Sequence, residues 1–121
     1  MDNNDYLNNS LFVTLVENSI FTKKQMQIIY KTYMKSKRPM NISSGAYYRE
    51  VKQSKSKIYK LIYSLILLEL LNILDPDQLI TITSIVEQLR QLQENHNNYH
   101  TKDLISILNV IEVMISRIIR L

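Results

Sequence analysis

The chain of 121 residues has no cysteine, no tryptophan, one glycine and two prolines. Without cysteine it has neither a disulfide framework nor a thiolate metal site, and a reducing compartment is the natural expectation. Sheets usually place several glycines and prolines in their turns, so a chain with so few is expected to contain little sheet. Hydrophobic residues make up 45% of the chain, which is enough for a folded core. The composition therefore predicts one compact all-α domain.

The chain also lacks an uninterrupted apolar run of membrane-spanning length. Its most apolar segment, Ile58 to Leu74, contains Lys60, Ser64, Glu69 and Asn72. A membrane span needs about 20 consecutive, predominantly apolar residues, so this segment is expected to be a buried core helix. The sequence begins with neither a positively charged leader nor a cleavable apolar stretch. These observations predict a cytoplasmic protein with no membrane partner.

Hydrophobic periodicity and capping signals predict helices almost throughout the chain. Thr22 and Gln25 have the spacing of a capping box, as do Asp75 and Gln78. Five helices are expected, at about 10–19, 23–35, 44–71, 76–93 and from 101 to the C-terminus, with a flexible start at 1–9 and loops at 36–41 and 94–100. Short connections favour antiparallel neighbours, so the last two helices are predicted to form an antiparallel hairpin.

Each predicted helix has an apolar stripe that is expected to face the core. The expected inward residues are Leu11, Phe12, Leu15 and Val16 in the first helix, Met26, Ile29, Tyr30, Tyr33 and Met34 in the second, and Ile82, Ile85, Val86, Leu89 and Leu92 in the fourth. The long third helix, capped by Ser43 or Ser44, differs along its length. It is polar on most faces up to Lys57 and apolar nearly all round from Ile58 to Leu71, so its second half is expected to be surrounded by protein.

The last helix has more apolar surface than packing against one neighbour would use. Its main stripe comprises Leu104, Ile107, Leu108, Ile111, Met114, Ile115 and Ile118, while Ile105, Val110, Val113 and Ile119 lie off that stripe. Either a subunit interface or a larger core within the chain would account for the surplus. We expect a homodimer whose interface includes Ile105, Leu108, Ile111, Met114, Ile115, Ile118 and Ile119.

The positive charge is concentrated in one segment. From Lys23 to Lys60 there are eleven Lys and Arg residues and one acid, Glu50, which gives a net charge of +10. The remaining residues contribute four basic and ten acidic side chains, a net charge of −6, and the two values add to the +4 of the whole chain. Clustered cations that displace counterions supply most of the affinity of proteins for nucleic acid. The segment 10–60 is therefore predicted to bind nucleic acid, and 61–121 to form the core and dimerisation part of the domain.

Part of the basic segment resembles a known DNA-binding motif. The stretch from Asn41 to Ile58 is similar to the recognition-helix segment of helix-turn-helix proteins of the sigma-region-four and LuxR kind. The residues that match the pattern of those families are Gly45, Val51 and Lys57-Ile58. The tract from Ser44 to Arg49, Ser-Gly-Ala-Tyr-Tyr-Arg, also looks like that of small archaeal proteins with helix-turn-helix domains. The resemblance implies a helix-turn-helix-like N-terminal part, with 23–35 as the preceding helix and an unusually long turn, or else a degenerate form of the motif.

The expected function follows from this charge and this resemblance. We expect a sequence-specific or architectural protein that binds double-stranded DNA and regulates transcription, and the alternative is a non-catalytic helical adaptor or subunit that binds RNA or a protein assembly. The expected DNA-binding residues are Lys37, Arg38, Ser44, Tyr47, Tyr48, Arg49, Lys52, Gln53, Lys55, Lys57 and Lys60. Tyr48 and Val51 each belong to a pair of adjacent residues, and one member of each pair is expected to face inward and hold the helix against the protein.

The sequence offers little for catalysis. His96 and His100 have a spacing that could hold a metal on a helix, but no third ligand is evident nearby and they lie in a polar stretch. One glycine cannot form a glycine-rich phosphate loop, and Glu50 lies among cations that suit an ion pair better than a general base. We therefore expect no enzymatic activity, no metal, no cofactor and no small-molecule substrate.

Overall fold

The computed structural model describes residues 10–34, 42–95 and 101–119, and these residues form five α-helices and no strand. We number the helices α1 (Ser10–Glu17), α2 (Lys23–Tyr33), α3 (Ser44–Leu70), α4 (Pro76–Asn95) and α5 (Thr101–Ile118). The predicted all-α fold is therefore confirmed. The flexible start predicted at 1–9, the loop at 36–41 and the histidine pair at 96 and 100 lie outside the described residues.

Two capping boxes begin α2 and α4, as their sequences predicted. In the first, the backbone nitrogen of Gln25 donates to Thr22 Oγ1 and the backbone nitrogen of Thr22 donates to Gln25 Oε1, both at 3.1 Å. In the second, the Gln78 nitrogen donates to Asp75 Oδ1 at 3.0 Å and the Asp75 nitrogen donates to Gln78 Oε1 at 2.6 Å. These bonds satisfy donors that would otherwise have no partner within the helix, which fixes where each helix starts.

Helix α3 has a cap at each end. The Ser43 hydroxyl accepts from the backbone nitrogen of Ala46 at 3.2 Å, which identifies Ser43 as the N-cap. At the other end, Asn72 adopts a left-handed conformation with φ of 59°, and the backbone nitrogen of Ile73 donates to the Leu68 carbonyl at 2.9 Å. Asparagine tolerates this conformation better than most residues, so the chain can turn here without a glycine.

The chain forms two compact units, Met1–Ile62 and Tyr63–Leu121, which we call the N-terminal and C-terminal units. Helix α3 begins in the first unit and ends in the second. The sequence prediction assigned one domain, with a basic part at 10–60 and a core and dimerisation part at 61–121.

The core of the N-terminal unit is small. Among the described residues, its buried apolar side chains are Leu11 and Val16 of α1 and Ile28 of α2. Ser54 of α3 is 2% exposed and lines the same groove as Ile28. The covered residues of this unit therefore include a small polar side chain beside the apolar ones.

The predicted inward stripe of α2 is only partly buried, since Met26, Ile29 and Tyr30 are half-buried. The buried residues of α2 are Gln25 and Ile28, whereas Tyr33 is 84% exposed and Met34 is 48% exposed. Gln25 turns inward because the Thr22 nitrogen and the Lys57 ammonium both donate to its carbonyl oxygen. A polar side chain that has hydrogen-bond partners can be buried, so Gln25 takes a core position that apolar periodicity does not predict.

In the C-terminal unit, α4 and α5 run in opposite directions. Gln78 Nε2, at the start of α4, donates to the carbonyl of Ile118, at the end of α5, at 2.7 Å. Between the two helices lies an apolar groove of about 200 Å³, lined in part by Ile85, Leu89, Ile107, Ile111 and Met114. The buried residues described in this unit are Leu74, Gln78 and Ile85.

The predicted stripe of α4 is only partly buried. Ile85 is buried and Leu89 is half-buried, but Ile82 and Val86 are 39% and 37% exposed. The Leu92 side chain lies outside the described residues. The small number of helices in this unit leaves the sides of the stripe uncovered.

The prediction that the second half of α3 is a buried core segment is wrong for the chain by itself. Every residue from 61 to 71 is exposed. Apolar periodicity shows which residues favour burial, but it does not show whether the same chain supplies the neighbours. No helix in the described residues combines the length and hydropathy that crossing a membrane requires.

Candidate nucleic-acid interface

The first half of α3 presents different residues to the protein and to solvent. Tyr47 and Val51 are half-buried, and Ser54 is buried. They follow one another at intervals of three and four residues, so they lie on one side of the helix. The helix is held against α2 along this side, which fixes the direction in which its opposite side points.

The opposite side of α3 forms a polar, cationic strip, which we call the outward face. Its charged and polar members are Arg49, Lys52, Gln53, Ser56 and Lys60, and all five are exposed. Their spacings of three, four and seven residues place them along one side of the helix. Glu50, the acid within the basic segment, is half-buried and lies off this side. The outward face therefore presents cations with no acidic side chain among them.

Two adjacent tyrosines have different environments. The Tyr47 hydroxyl is hydrogen-bonded to Thr32 Oγ1 at 2.8 Å, so Tyr47 joins the start of α3 to the end of α2. Tyr48 is 69% exposed, and its ring meets that of Tyr47 edge to face with centroids 5.7 Å apart. Of the pair, Tyr47 faces inward and Tyr48 faces solvent beside the outward face.

Lys57 has a structural contact that the sequence prediction did not include. Its ammonium donates to the Ile20 carbonyl at 2.8 Å and to Gln25 Oε1 at 2.6 Å. The side chain is half-buried and joins α3 to the start of α2. The structure therefore separates Lys57 from the exposed cations with which the sequence prediction grouped it.

The remaining predicted DNA-binding residues fall into two groups. Ser44 and Lys55 are exposed, and Lys55 lies at the edge of the groove between α2 and α3. Lys37 and Arg38 lie outside the described residues.

The outward face also includes two residues that the sequence prediction omitted. Ser56 and Tyr59 are both exposed, and Tyr59 is 66% exposed. Ser56 lies seven residues after Arg49, and Tyr59 lies seven residues after Lys52. A helical projection centred on the cations would have identified both from the sequence.

The connection between α2 and α3 is longer than that of a standard helix-turn-helix. Ten residues, 34–43, separate the two helices, against about three or four in that motif. Thr32 contacts Tyr47 and Gln25 contacts Lys57, so the order of contacts is reversed and the two helices run in opposite senses. Gly45 has no heavy atom within 4 Å of where a Cβ would lie, so packing within the chain does not require a glycine there.

The predicted dimer-interface residues divide between two faces of α5. Leu108, Ile111, Met114 and Ile118 are half-buried. Ile105, Ile115 and Ile119 are 53%, 45% and 56% exposed. The surplus apolar surface inferred from the sequence is therefore present on α5.

In the part of the chain that the structure describes, no three His, Asp or Glu residues come together as a metal-binding group. Comparison of the chain with protein-family models, curated proteins and solved structures gives no match. A functional assignment therefore depends on the geometry and charge of the outward face.

Proposed function

We propose that this chain is a double-stranded DNA-binding protein that acts in transcription regulation, by sequence-specific or architectural binding. The observation that carries the proposal is the outward face of α3, where Arg49, Lys52 and Lys60 are exposed along one side of a helix without an acid among them. Arginine and lysine presented in this way can neutralise phosphates, and the release of counterions makes such contacts favourable.

The shape of the element favours duplex DNA over duplex RNA. An exposed α-helix fits the major groove of B-form DNA, which is about 12 Å wide, whereas the major groove of A-form RNA is too narrow for side chains to read. Arg49 and Gln53 are residue types that form paired hydrogen bonds with guanine and adenine edges. We assign these two to base contacts, and Lys52, Lys55 and Lys60 to phosphates.

Fluorescence anisotropy with random and selected duplexes tests these roles. Arg49→Ala or Gln53→Ala is expected to cost about 1–3 kcal/mol, mainly on the preferred site. Lys60→Ala should weaken binding to all sequences by a similar factor, because phosphate contacts carry no sequence information. Arg90→Ala is the matched control, since it removes one exposed positive charge from α4, outside the basic segment, and should leave affinity nearly unchanged.

The outcomes separate the candidate functions. If the wild-type protein binds no duplex even at low salt, the proposal is wrong, and the adaptor function, with RNA or a protein assembly as partner, replaces it. If Arg49→Ala lowers affinity equally for all duplexes, the protein is an architectural binder and the resemblance to a recognition helix has no functional meaning.

A further inference from the structure

The C-terminal unit exposes far more apolar surface than it buries. Its described residues include two buried large apolar side chains, Leu74 and Ile85, and sixteen that are at least 36% exposed. Eight of the sixteen lie between Tyr63 and Ile73, at the end of α3 and in the turn that follows. Monomeric proteins rarely expose contiguous apolar patches larger than about 300–600 Å² unless the patch binds something.

The exposed apolar residues at the end of α3 surround the helix. Leu65, Ile66, Leu67 and Leu68 are consecutive, so their side chains project about 100° apart and cover every side. Their exposed fractions are 36%, 56%, 54% and 36%. A helix that is apolar all round is stable in water only with protein neighbours on several sides. The C-terminal unit has only α4 and α5 to offer among its described residues, and with them in place these side chains are still exposed.

We propose that a second copy of this chain covers the apolar end of α3, and that the C-terminal unit is a self-association module whose core forms between chains. The available area fits this occupant. With about 150 Å² for a fully exposed large side chain, the lower end of the range for aromatic residues, eight side chains at roughly half exposure leave about 600 Å². This area is at the lower end of the roughly 600–1,000 Å² that each partner of a standard interface buries.

The charge of the surface also favours a copy of the same chain. Between Tyr63 and Ile73 the sequence has one charged residue, Glu69, and residues 63–121 contain four basic and seven acidic side chains, a net charge of −3. A surface with one charge offers little of the electrostatic complementarity that selects a different protein as partner. A two-fold dimer needs a patch that is complementary to itself, and a surface of eight apolar side chains with one carboxylate meets that condition with little repulsion.

This inference does not depend on DNA binding. It concerns a different unit and rests on apolar exposure, whereas the proposed function rests on the cations of the N-terminal unit. A protein that self-associates but binds no duplex would contradict only the proposed function. One that binds duplex as a monomer would contradict only this inference.

The test combines size-exclusion chromatography with light scattering and thermal unfolding at several concentrations, on the full chain without DNA. The expected wild-type mass is twice the 14.3 kDa of one chain, and the Tm should rise with protein concentration, as it does for any folded state stabilised by association. The second readout needs no variant, so the inference can be tested even if the substituted proteins fail to fold.

Leu70→Glu provides the matching substitution, because Leu70 is 75% exposed in the single chain. A charge at this position would cost little in a monomer but would be buried in the interface, so we expect dissociation or a marked drop in Tm. Ser84→Glu adds the same charge at an exposed position of α4 and should change neither mass nor Tm. A wild-type protein with the mass of one chain, a concentration-independent Tm and an unaltered Tm in Leu70→Glu would overturn the inference.

Discussion

Neighbouring lysines of one basic segment have different roles because they lie on different sides of the same helix. Lys57 reaches back to the Ile20 carbonyl and to Gln25, while Lys52 and Lys60 are exposed on the outward face. The net charge of the basic segment does not show which of these lysines is exposed and which contacts the protein. Their positions around α3 do, since each residue is rotated by about 100° from the one before it, and inward and outward positions therefore alternate in a regular pattern.

Lys57→Met and Lys52→Met form a matched pair that separates the two roles. Lys57→Met keeps most of the apolar stem but removes two hydrogen bonds from an ammonium, so we expect it to lower the free energy of unfolding by about 1–2 kcal/mol. Lys52→Met should leave stability within about 0.5 kcal/mol of the wild type while weakening DNA binding. Urea unfolding at fixed protein concentration and anisotropy titrations measure the two effects. Equal stability of both variants would mean that the Lys57 contact is not stabilising.

At the scale of elements, local signals fix the starts of α2 and α4 more firmly than their orientation. Both capping boxes are present as predicted, and each also places a glutamine that becomes buried, Gln25 and Gln78. Each of these side chains then bonds another part of the same unit, through Lys57 and through the Ile118 carbonyl respectively. The capping residues therefore join helices as well as beginning them.

Substitutions of Asp75 test how much the second cap stabilises the fold. Asp75→Ala removes the acceptor for the Gln78 nitrogen and is expected to cost about 1 kcal/mol. Asp75→Asn keeps a side-chain oxygen at the same position and should cost only a few tenths of this, because asparagine is an equally good N-cap. Circular dichroism during urea unfolding, at one protein concentration, gives both values. A large destabilisation in Asp75→Asn would show that the negative charge, rather than the hydrogen bond, stabilises the start of α4.

At the scale of the whole molecule, charge and apolar exposure are concentrated in different units. Ten of the eleven Lys and Arg residues of the basic segment lie between Lys23 and Lys57. The eight exposed apolar side chains of the self-association surface lie between Tyr63 and Ile73. Because α3 begins in one unit and ends in the other, a single helix carries both surfaces. The two proposals are thus independent in their physical basis although they share an element.

The salt dependence of DNA binding tests the cationic surface as a whole. The logarithm of the affinity should fall linearly with the logarithm of salt concentration, with a slope of about −0.9 for each phosphate neutralised. A triple variant, Lys52→Ala, Lys55→Ala and Lys60→Ala, should therefore show a slope smaller in magnitude by about 0.9 for each phosphate that it no longer neutralises. Arg90→Ala again supplies the control with an unchanged slope. An unchanged slope in the triple variant would place the phosphate-binding cations elsewhere on the chain.

The sequence by itself determined the helical class, the approximate helix ends and both capping boxes. These properties depend on residues close together in the chain: the scarcity of glycine and proline, the apolar periodicity, and the spacing of Thr22 with Gln25 and of Asp75 with Gln78. The concentration of positive charge between Lys23 and Lys60 was likewise evident from the sequence.

Only the tertiary structure decided which sides of these helices are covered. Gln25 is buried and accepts a hydrogen bond from Lys57, 32 positions later, a contact that local periodicity does not contain. The apolar end of α3 is exposed because the described helices of one chain are too few to surround it. A sequence pattern records the preference of each residue for burial, whereas burial itself depends on distant segments that happen to be adjacent in space.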